Sequence, residues 1–259
     1  MKAVFFGATT FSKAILLHLL ENGITVSAVF TIPEEFTISY SEGKVKNYNY
    51  TNLQQVAAAH SIPCYEIESV AGKKTTDYYN LLCELAPDVI LVMGWYYMVP
   101  KKIREIAKHG AWGIHASLLP KYAGGAPLVW AIINGETETG VSLFKLDDGV
   151  DDGDIVVQQS IKIDYTDTIK EVYEKATIAS KKILVHALQN IDTIQPTPQD
   201  KSKIEVYPQR SPADGEIDLS WPAEKIYNFI RAQAPPYPGA FIKTVDGKKI
   251  IIHKAVISE

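Results

Sequence analysis

Apolar runs alternate with stretches of helical length from the first residues onward. Lys2–Phe6 is an apolar run after its leading lysine, closed by Gly7, Ala14–Leu20 is apolar apart from His18, and Thr25–Phe30 is a second run. Strands buried on both faces carry continuous hydrophobic sequence, so this opening predicts strand, turn, helix and strand on a parallel sheet. The alternation continues. Helices are predicted over Leu53–His60, Thr76–Leu85 and Lys101–Lys108, and strands over Pro63–Glu66, Asp88–Met93 and Trp112–His115. Glu34–Tyr50 is polar and rich in tyrosine, and reads as a long excursion. Further on, Leu128–Asn134 predicts a helix, Val141–Leu146 and Ile155–Ile163 predict strands, and Thr168–Leu188 predicts a long amphipathic helix.

The pattern changes at Ile191–Arg210, where three prolines and several polar residues mark a connector. Beyond it, Gly215–Asp218, Ala223–Ala232, Ala240–Thr244 and Lys249–Val256 predict one helix and a few strands, with Asp246-Gly247 as a hairpin turn. The expected fold is therefore α/β. A Rossmann-like, mostly parallel sheet with helices on both faces spans residues 1–190, a connector spans 191–209, and a small C-terminal α+β or β subdomain spans 210–259.

Composition narrows the function. The 259 residues are 46% hydrophobic and 22% charged, an ordinary globular mixture. The net charge of −4 lacks the broad basic field expected of a non-specific nucleic-acid binder. Cys64 and Cys83 have no metal-ligand spacing and read as free thiols. No apolar run reaches membrane-spanning length, and Met1–Gly7 reads as a first strand rather than a leader, so a cytoplasmic protein is expected.

Two segments carry candidate chemistry. Gly113-Ile-His-Ala-Ser-Leu-Leu-Pro-Lys-Tyr-Ala-Gly-Gly-Ala-Pro127 places His115 at the end of a short strand, followed at once by a turn-rich loop. Ligands of open parallel sheets bind beyond the carboxyl ends of the strands, and imidazole exchanges protons near neutral pH. A histidine there could equally bond a backbone carbonyl. Leu146-Asp-Asp-Gly-Val-Asp-Asp-Gly-Asp-Ile155 packs five carboxylates into a turn; Asp151 is a candidate partner for His115, but charge alone does not say which of the five matters. A solvated turn is the plain alternative. A calcium loop is not matched, because the alternation and terminal glutamate are missing, so no metal is expected. Gly94-Trp-Tyr-Tyr-Met98 could flank a conjugated ring or pack into the core. The first turn, Gly7-Ala-Thr-Thr-Phe-Ser12, is not a dinucleotide fingerprint.

The blocks HASLLPKYAGGAP and NGETETGVSLFKLDDGVDDGDI, the opening FFGATTFS, and the later Arg210–Asp218 and Ile230–Phe241 resemble the folate-dependent formyltransferases. That family includes methionyl-tRNA formyltransferases and sugar N-formyltransferases. The resemblance implies transfer of a formyl group from 10-formyltetrahydrofolate to a primary amine. It implies that His115 and Asp151 are catalytic, and it places the family's catalytic asparagine at Gly113. That asparagine is expected to hold the developing oxyanion, and losing such a donor costs on the order of a hundredfold in rate. A backbone NH, a water or protonated His115 would have to stand in for it. Ala123, where many relatives carry arginine, is a second departure.

The resemblance further places the donor's pterin near Met93, Gly94, Trp95, Tyr96 and Tyr97, and near Asp147, Gly149 and Val150. Ser117, Leu118, Leu119, Pro120 and Lys121 shape the adjoining loop, Ser117 as a turn hydroxyl rather than a nucleophile. For the acceptor, the short C-terminal portion and the modest basic cluster Lys201-Ser-Lys203 argue against tRNA. The expected acceptor is a small amine, a nucleotide-linked amino sugar, with methionyl-tRNA as the alternative. Gly113 also motivates a non-catalytic folate binder or a formyl-folate hydrolase. A homodimer joined through the C-terminal unit is expected by analogy.

Overall fold

The computed structural model describes residues 1–37, 43–47, 49–68 and 72–258. The chain divides into two compact units: residues 1–114, 143–148 and 181–196 form the first, and residues 115–142, 149–180 and 197–259 form the second.

The first unit is built on parallel strands. β1 (Lys2–Phe6), α1 (Thr10–Glu21) and β2 (Thr25–Thr31) form the predicted opening. They are followed by the short strands β3 (Glu35–Thr37) and β4 (Lys44–Lys46), then by α2 (Leu53–Ala59), β5 (Cys64–Glu66), α3 (Tyr79–Leu85), β6 (Val89–Val92), α4 (Lys101–Arg104) and β7 (Ala111–His115). The strands lie in the order β5-β2-β1-β6-β7, and every neighbouring pair is parallel. This is a Rossmann-like arrangement, and it explains the unbroken apolar sequence: Ala3 to Phe6 have no exposed surface. Phe6 stacks on Phe30 with ring centroids 4.6 Å apart. Leu146 follows β7, its amide bonding to Ala111 O at 2.8 Å.

α1 starts where it does because Thr9 and Ser12 cap each other. Thr9 Oγ1 accepts from Ser12 N at 3.2 Å, and Ser12 Oγ accepts from Thr9 N at 3.0 Å. A cap of this type is worth about 1 kcal/mol. Gly94, just beyond β6, comes against it. Its φ is +63°, and a Cβ there would fall on Thr9 Oγ1 and within 2.8 Å of Ser12 Oγ. Only glycine serves at that turn.

Three elements differ from the expected ones. The described part of the Glu34–Tyr50 excursion contains an antiparallel hairpin, β3 with β4; residues 38–42 and 48 lie outside the described residues. The Thr76–Leu85 helix opens with a 3-10 turn over Thr75–Tyr78, and α3 proper begins at Tyr79. The Lys101–Lys108 helix stops at Arg104. The Lys108 and His109 amides instead donate to Pro87 O and Asp88 O at 3.3 and 2.8 Å, which diverts the chain onto the start of β6.

The second unit begins at His115. It contains β8 (Ala123–Gly124), α5 (Pro127–Ile133), most of β9 (Glu138–Lys145), β10 (Ile155–Lys162), the first half of α6 (Ile169–Gln189), β11 (Val206–Tyr207), α7 (Ala223–Ala232), β12 (Ala240–Lys243) and β13 (Lys249–Ile252). β9 lies beside β10, and β12 and β13 form the expected hairpin, turned at Gly247 with φ +79°. The strand expected over Gly215–Asp218 is instead a 3-10 turn, Pro212–Gly215, and a single bridge from Glu216 to Phe241. The strand expected to reach Val256 ends at Ile252. Phe229, Ile230, Ile217 and Ala240 form the core of this β-rich C-terminal portion. Arg231, 7% exposed, donates to Asp167 O at 2.9 Å and to Asn228 Oδ1 at 2.8 Å.

Candidate active site

His115 ends β7 and opens the second unit, and its side chain is 10% exposed. Nε2 lies 2.7 Å from Tyr122 O. A carbonyl only accepts, so Nε2 carries the hydrogen and donates it. That leaves Nδ1 facing Asp151 Oδ2 at 3.4 Å. The same carboxylate oxygen accepts the Gly124 amide at 2.8 Å. The two readings of His115 thus coexist: the ring bonds a backbone carbonyl through one nitrogen and meets the expected carboxylate through the other.

Backbone conformation aims these groups. Tyr122 (φ +55°) and Asp151 (φ +51°) both occupy the left-handed region that non-glycine residues avoid. Tyr122 is anchored by its own side chain, whose hydroxyl donates to Glu136 Oε1 at 2.8 Å and accepts from Asn134 Nδ2 at 3.2 Å. Burial pushes that phenol up to about 12, the Asn134 bond working against it and the Glu136 contact with it.

The loop 117–121 is held from within the unit. Ser117 Oγ donates to Lys121 O at 2.6 Å, a turn-stabilising bond. Ser142 Oγ donates to Ser117 O at 2.6 Å and accepts from Leu119 N at 3.0 Å. Gln158 Nε2 then donates to Leu119 O and Ser142 Oγ, both at 2.8 Å. Leu119 is buried, Leu118 and Pro120 are half-buried, and Lys121 is exposed.

In the first unit, Gly113 sits two residues before His115 on β7. A Cβ there would meet Leu146 Cδ2 at 2.9 Å and Phe144 Cε1 at 3.3 Å. Position 113 therefore lacks a side chain, and apolar atoms of the neighbouring strand close over it. Met93 is fully buried, and its carbonyl accepts from Ser12 Oγ at 2.5 Å. The aromatics that follow turn largely into the core. Trp95 meets Phe6 edge-on at 5.3 Å, Tyr96 and Tyr97 pack on Phe36, and Tyr96 OH donates to Asn47 Oδ1 at 3.0 Å. Trp95 Nε1 is buried without a hydrogen-bond partner among the described residues. Asp147 and Asp148 are exposed, and Arg104 bonds Asp147 O and the Asp148 carboxylate.

Gly149 and Val150 belong to the second unit and are exposed, Gly149 lying against the Asp152 carboxylate. Within that unit the structure joins His115, Asp151, Tyr122 and Gly124. The sequence reading missed Gln158, Ser142, Glu136 and Gln199, whose roles arise from long-range hydrogen bonds with no local signature. No group of three or more histidine, cysteine, aspartate or glutamate side chains suited to a metal occurs among the described residues.

Residues 1–188 match the formyl transferase family, and residues 210–259 match the formyl transferase C-terminal domain. The chain belongs to the formyl transferase family. A methionyl-tRNA formyltransferase from Alkaliphilus oremlandii is 32% identical over 261 residues, covering 100% of this chain and 81% of the relative. A sugar N-formyltransferase from Shewanella shares the fold with a TM-score of 0.73 at 16% identity, covering 100% of this chain and 99% of that one. WlaRD, a sugar 3N-formyl transferase solved in the presence of dTDP and 5-N-formyl-THF, aligns with a TM-score of 0.62 at 20% identity, over 90% and 78% of the two chains. These structures share the Rossmann-like fold. No helix of the described residues is long and apolar enough to cross a membrane.

Proposed function

We propose that this protein moves a formyl group from 10-formyltetrahydrofolate to the primary amine of a nucleotide-linked amino sugar. The observation that carries the reading is the His115–Asp151 pair, with Nδ1 and Oδ2 3.4 Å apart. The residues assigned to the donor fit a polar aromatic ring system. Trp95 Nε1 is a buried donor with no partner among the described residues, and the exposed Asp147 carboxylate can accept ring hydrogens. Met93, Gly94 and Asp147, all of the first unit, would hold that group. It supplies an activated formyl carbon and a nitrogen leaving group.

The chain's own residues handle the proton. Nε2 of His115 is committed to Tyr122 O and the ring is 10% exposed, whereas the Asp151 side chain is 22% exposed. The carboxylate is therefore the open edge of the pair, and the neutral acceptor amine binds there. As the amine nitrogen forms the new bond to carbon, its proton passes to the pair. Nδ1 can hold it, with the Asp151 charge alongside, until the departing nitrogen takes it. Tyr122 O keeps the ring in the tautomer that leaves Nδ1 for this task. With no amide at 113, the developing oxyanion is met by a backbone NH or water.

The amino-sugar choice rests on the net charge of −4 and on the fold shared with a sugar N-formyltransferase at a TM-score of 0.73. The 32% identity to a methionyl-tRNA formyltransferase favours charged initiator tRNA as the second reading. Discharge of 10-formyltetrahydrofolate is to be followed with TDP- and UDP-amino sugars, initiator methionyl-tRNA, and no acceptor. Turnover only with an amino sugar is the expected result. Turnover only with tRNA moves the assignment to the second reading, acceptor-free formate release makes the protein a hydrolase, and binding without turnover makes it a folate sensor.

A further inference from the structure

The stretch expected to be a connector does more than span a gap. Thr197 and Ile155 exchange two backbone hydrogen bonds, both 2.8 Å, at the foot of the acidic turn. Gln199 follows and is only 9% exposed. Its Nε2 donates to Asp151 O and to Gly153 O, each at 2.7 Å. The orientation of that amide is forced, because the flipped form would set its oxygen against two carbonyls. Lys201 then pairs with Asp152 at 2.8 Å. Farther along, β11 pairs with β8, and Gly125 N donates to Tyr207 O at 2.8 Å. One segment thus grips both the turn that carries Asp151 and the strand whose Gly124 amide meets the Asp151 carboxylate.

We propose that Gln199 is a positioning residue for Asp151, holding its backbone so that the carboxylate faces His115. This rests on the function proposed above. The physical need is specific. Asp151 sits at φ +51°, a left-handed conformation that a non-glycine residue keeps only where its surroundings enforce it. Asp151 and Gly153 lie on either side of Asp152, and one amide group tying their two carbonyls fixes the turn at the point of strain. Without the two donors the turn relaxes toward ordinary backbone angles and the carboxylate swings off Nδ1. A displacement of about 1 Å at such a site costs on the order of a hundredfold in rate.

The test uses Gln199→Met, which keeps length and loses both donors, and Gln199→Asn, which keeps the amide on a shorter stem. The first readout is independent of turnover. In protein labelled at histidine, the His115 imidazole nitrogen signals, assigned with His115→Ala, shift in Gln199→Met at fixed pH, while those of the other histidines stay in place. The second is kinetic. Gln199→Met lowers kcat by about tenfold to a hundredfold, Gln199→Asn by less, and Gln199→Met adds no further loss to Asp151→Asn. A folded Gln199→Met with unmoved His115 signals overturns the proposal, as does a loss that simply multiplies that of Asp151→Asn. Should Gln199→Met fail to fold, the same two readouts on Gln199→Asn decide. If His115→Ala keeps full activity, it is the function reading that fails, and the signals still report whether Gln199 sets the pair.

Discussion

Asp151 faces His115 across 3.4 Å with a carboxylate oxygen that is already fixed by the Gly124 amide at 2.8 Å. That oxygen cannot drift toward solvent without giving up a backbone hydrogen bond. The imidazole cannot turn without giving up Tyr122 O. Each partner is therefore held from its far side, and the contact between them is set by the frame around it.

Replacing His115 with alanine removes the group that holds the proton. Formyl transfer is expected to fall by about a hundredfold to ten-thousandfold, the usual worth of a positioned acid–base group. Affinity for the folate donor should stay within a few-fold, since the ring faces Tyr122 and Asp151. Steady-state rates paired with calorimetric titration of a non-transferable formyl-folate check both halves. A fully active His115→Ala would remove the histidine from the reaction.

Restoring asparagine at position 113 is not a simple repair. Its Cβ would come within 2.9 Å of Leu146 Cδ2 and 3.3 Å of Phe144 Cε1. Overpacking of this kind destabilises by about 1–3 kcal/mol. Gly113→Asn alone should melt earlier, and Gly113→Asn with Leu146→Ala should recover part of the loss. Faster transfer is expected in the double variant rather than the single one. A single variant with unchanged Tm and higher kcat would contradict this.

Asp164 makes a pH-dependent contribution. Hydrogen bonds from Lys162 and then Lys175 hold its carboxyl at about 2, against an ordinary value of 3.8. A carboxyl depressed by folding stabilises the native state above its unfolded value, and that stabilisation is lost as pH falls through the folded one. Asp164→Asn should lower Tm at pH 5 and converge with the parent protein between pH 4 and 2. High salt should shrink the difference, because the carboxylate is 44% exposed. Parallel melting curves over that range would refute it.

The two thiols should separate by reactivity. Burial, followed by the charge of Glu66, pushes Cys64 up to about 11, while Cys83 lies exposed. Iodoacetamide at pH 8 is expected to label Cys83 first, with Cys64 reacting only near pH 11 or after unfolding. Mass spectrometry of peptides from a timed reaction distinguishes the order.

Much of the first unit was readable because burial on both faces writes itself into sequence as unbroken apolar runs, as in Ala3–Phe6. His115 stood out by its place at a strand exit and Asp151 by its acidic turn, the resemblance matched both to the family's motif, and their separation of 36 positions gave no local hint that they would meet. β8 and β11 were not foreseen. Each has two residues, and their pairing is a long-range event that propensity cannot signal. The stop of α4 at Arg104 was hidden for a similar reason: Lys108 and His109 find acceptors more than 20 residues upstream. Gln199 stood among prolines and polar residues, which in the sequence alone describe a spacer.

The turn at Gly94 constrains how this scaffold can vary. Any side chain gained there would evict Thr9 from its place and unfasten the first turn of α1, more than eighty positions away in the chain. Positions 9 and 12 can change only while position 94 stays glycine, so a mutational scan should show replacements at 94 poorly tolerated, with changes at 9 or 12 easing the crowding and leaving the left-handed backbone strained.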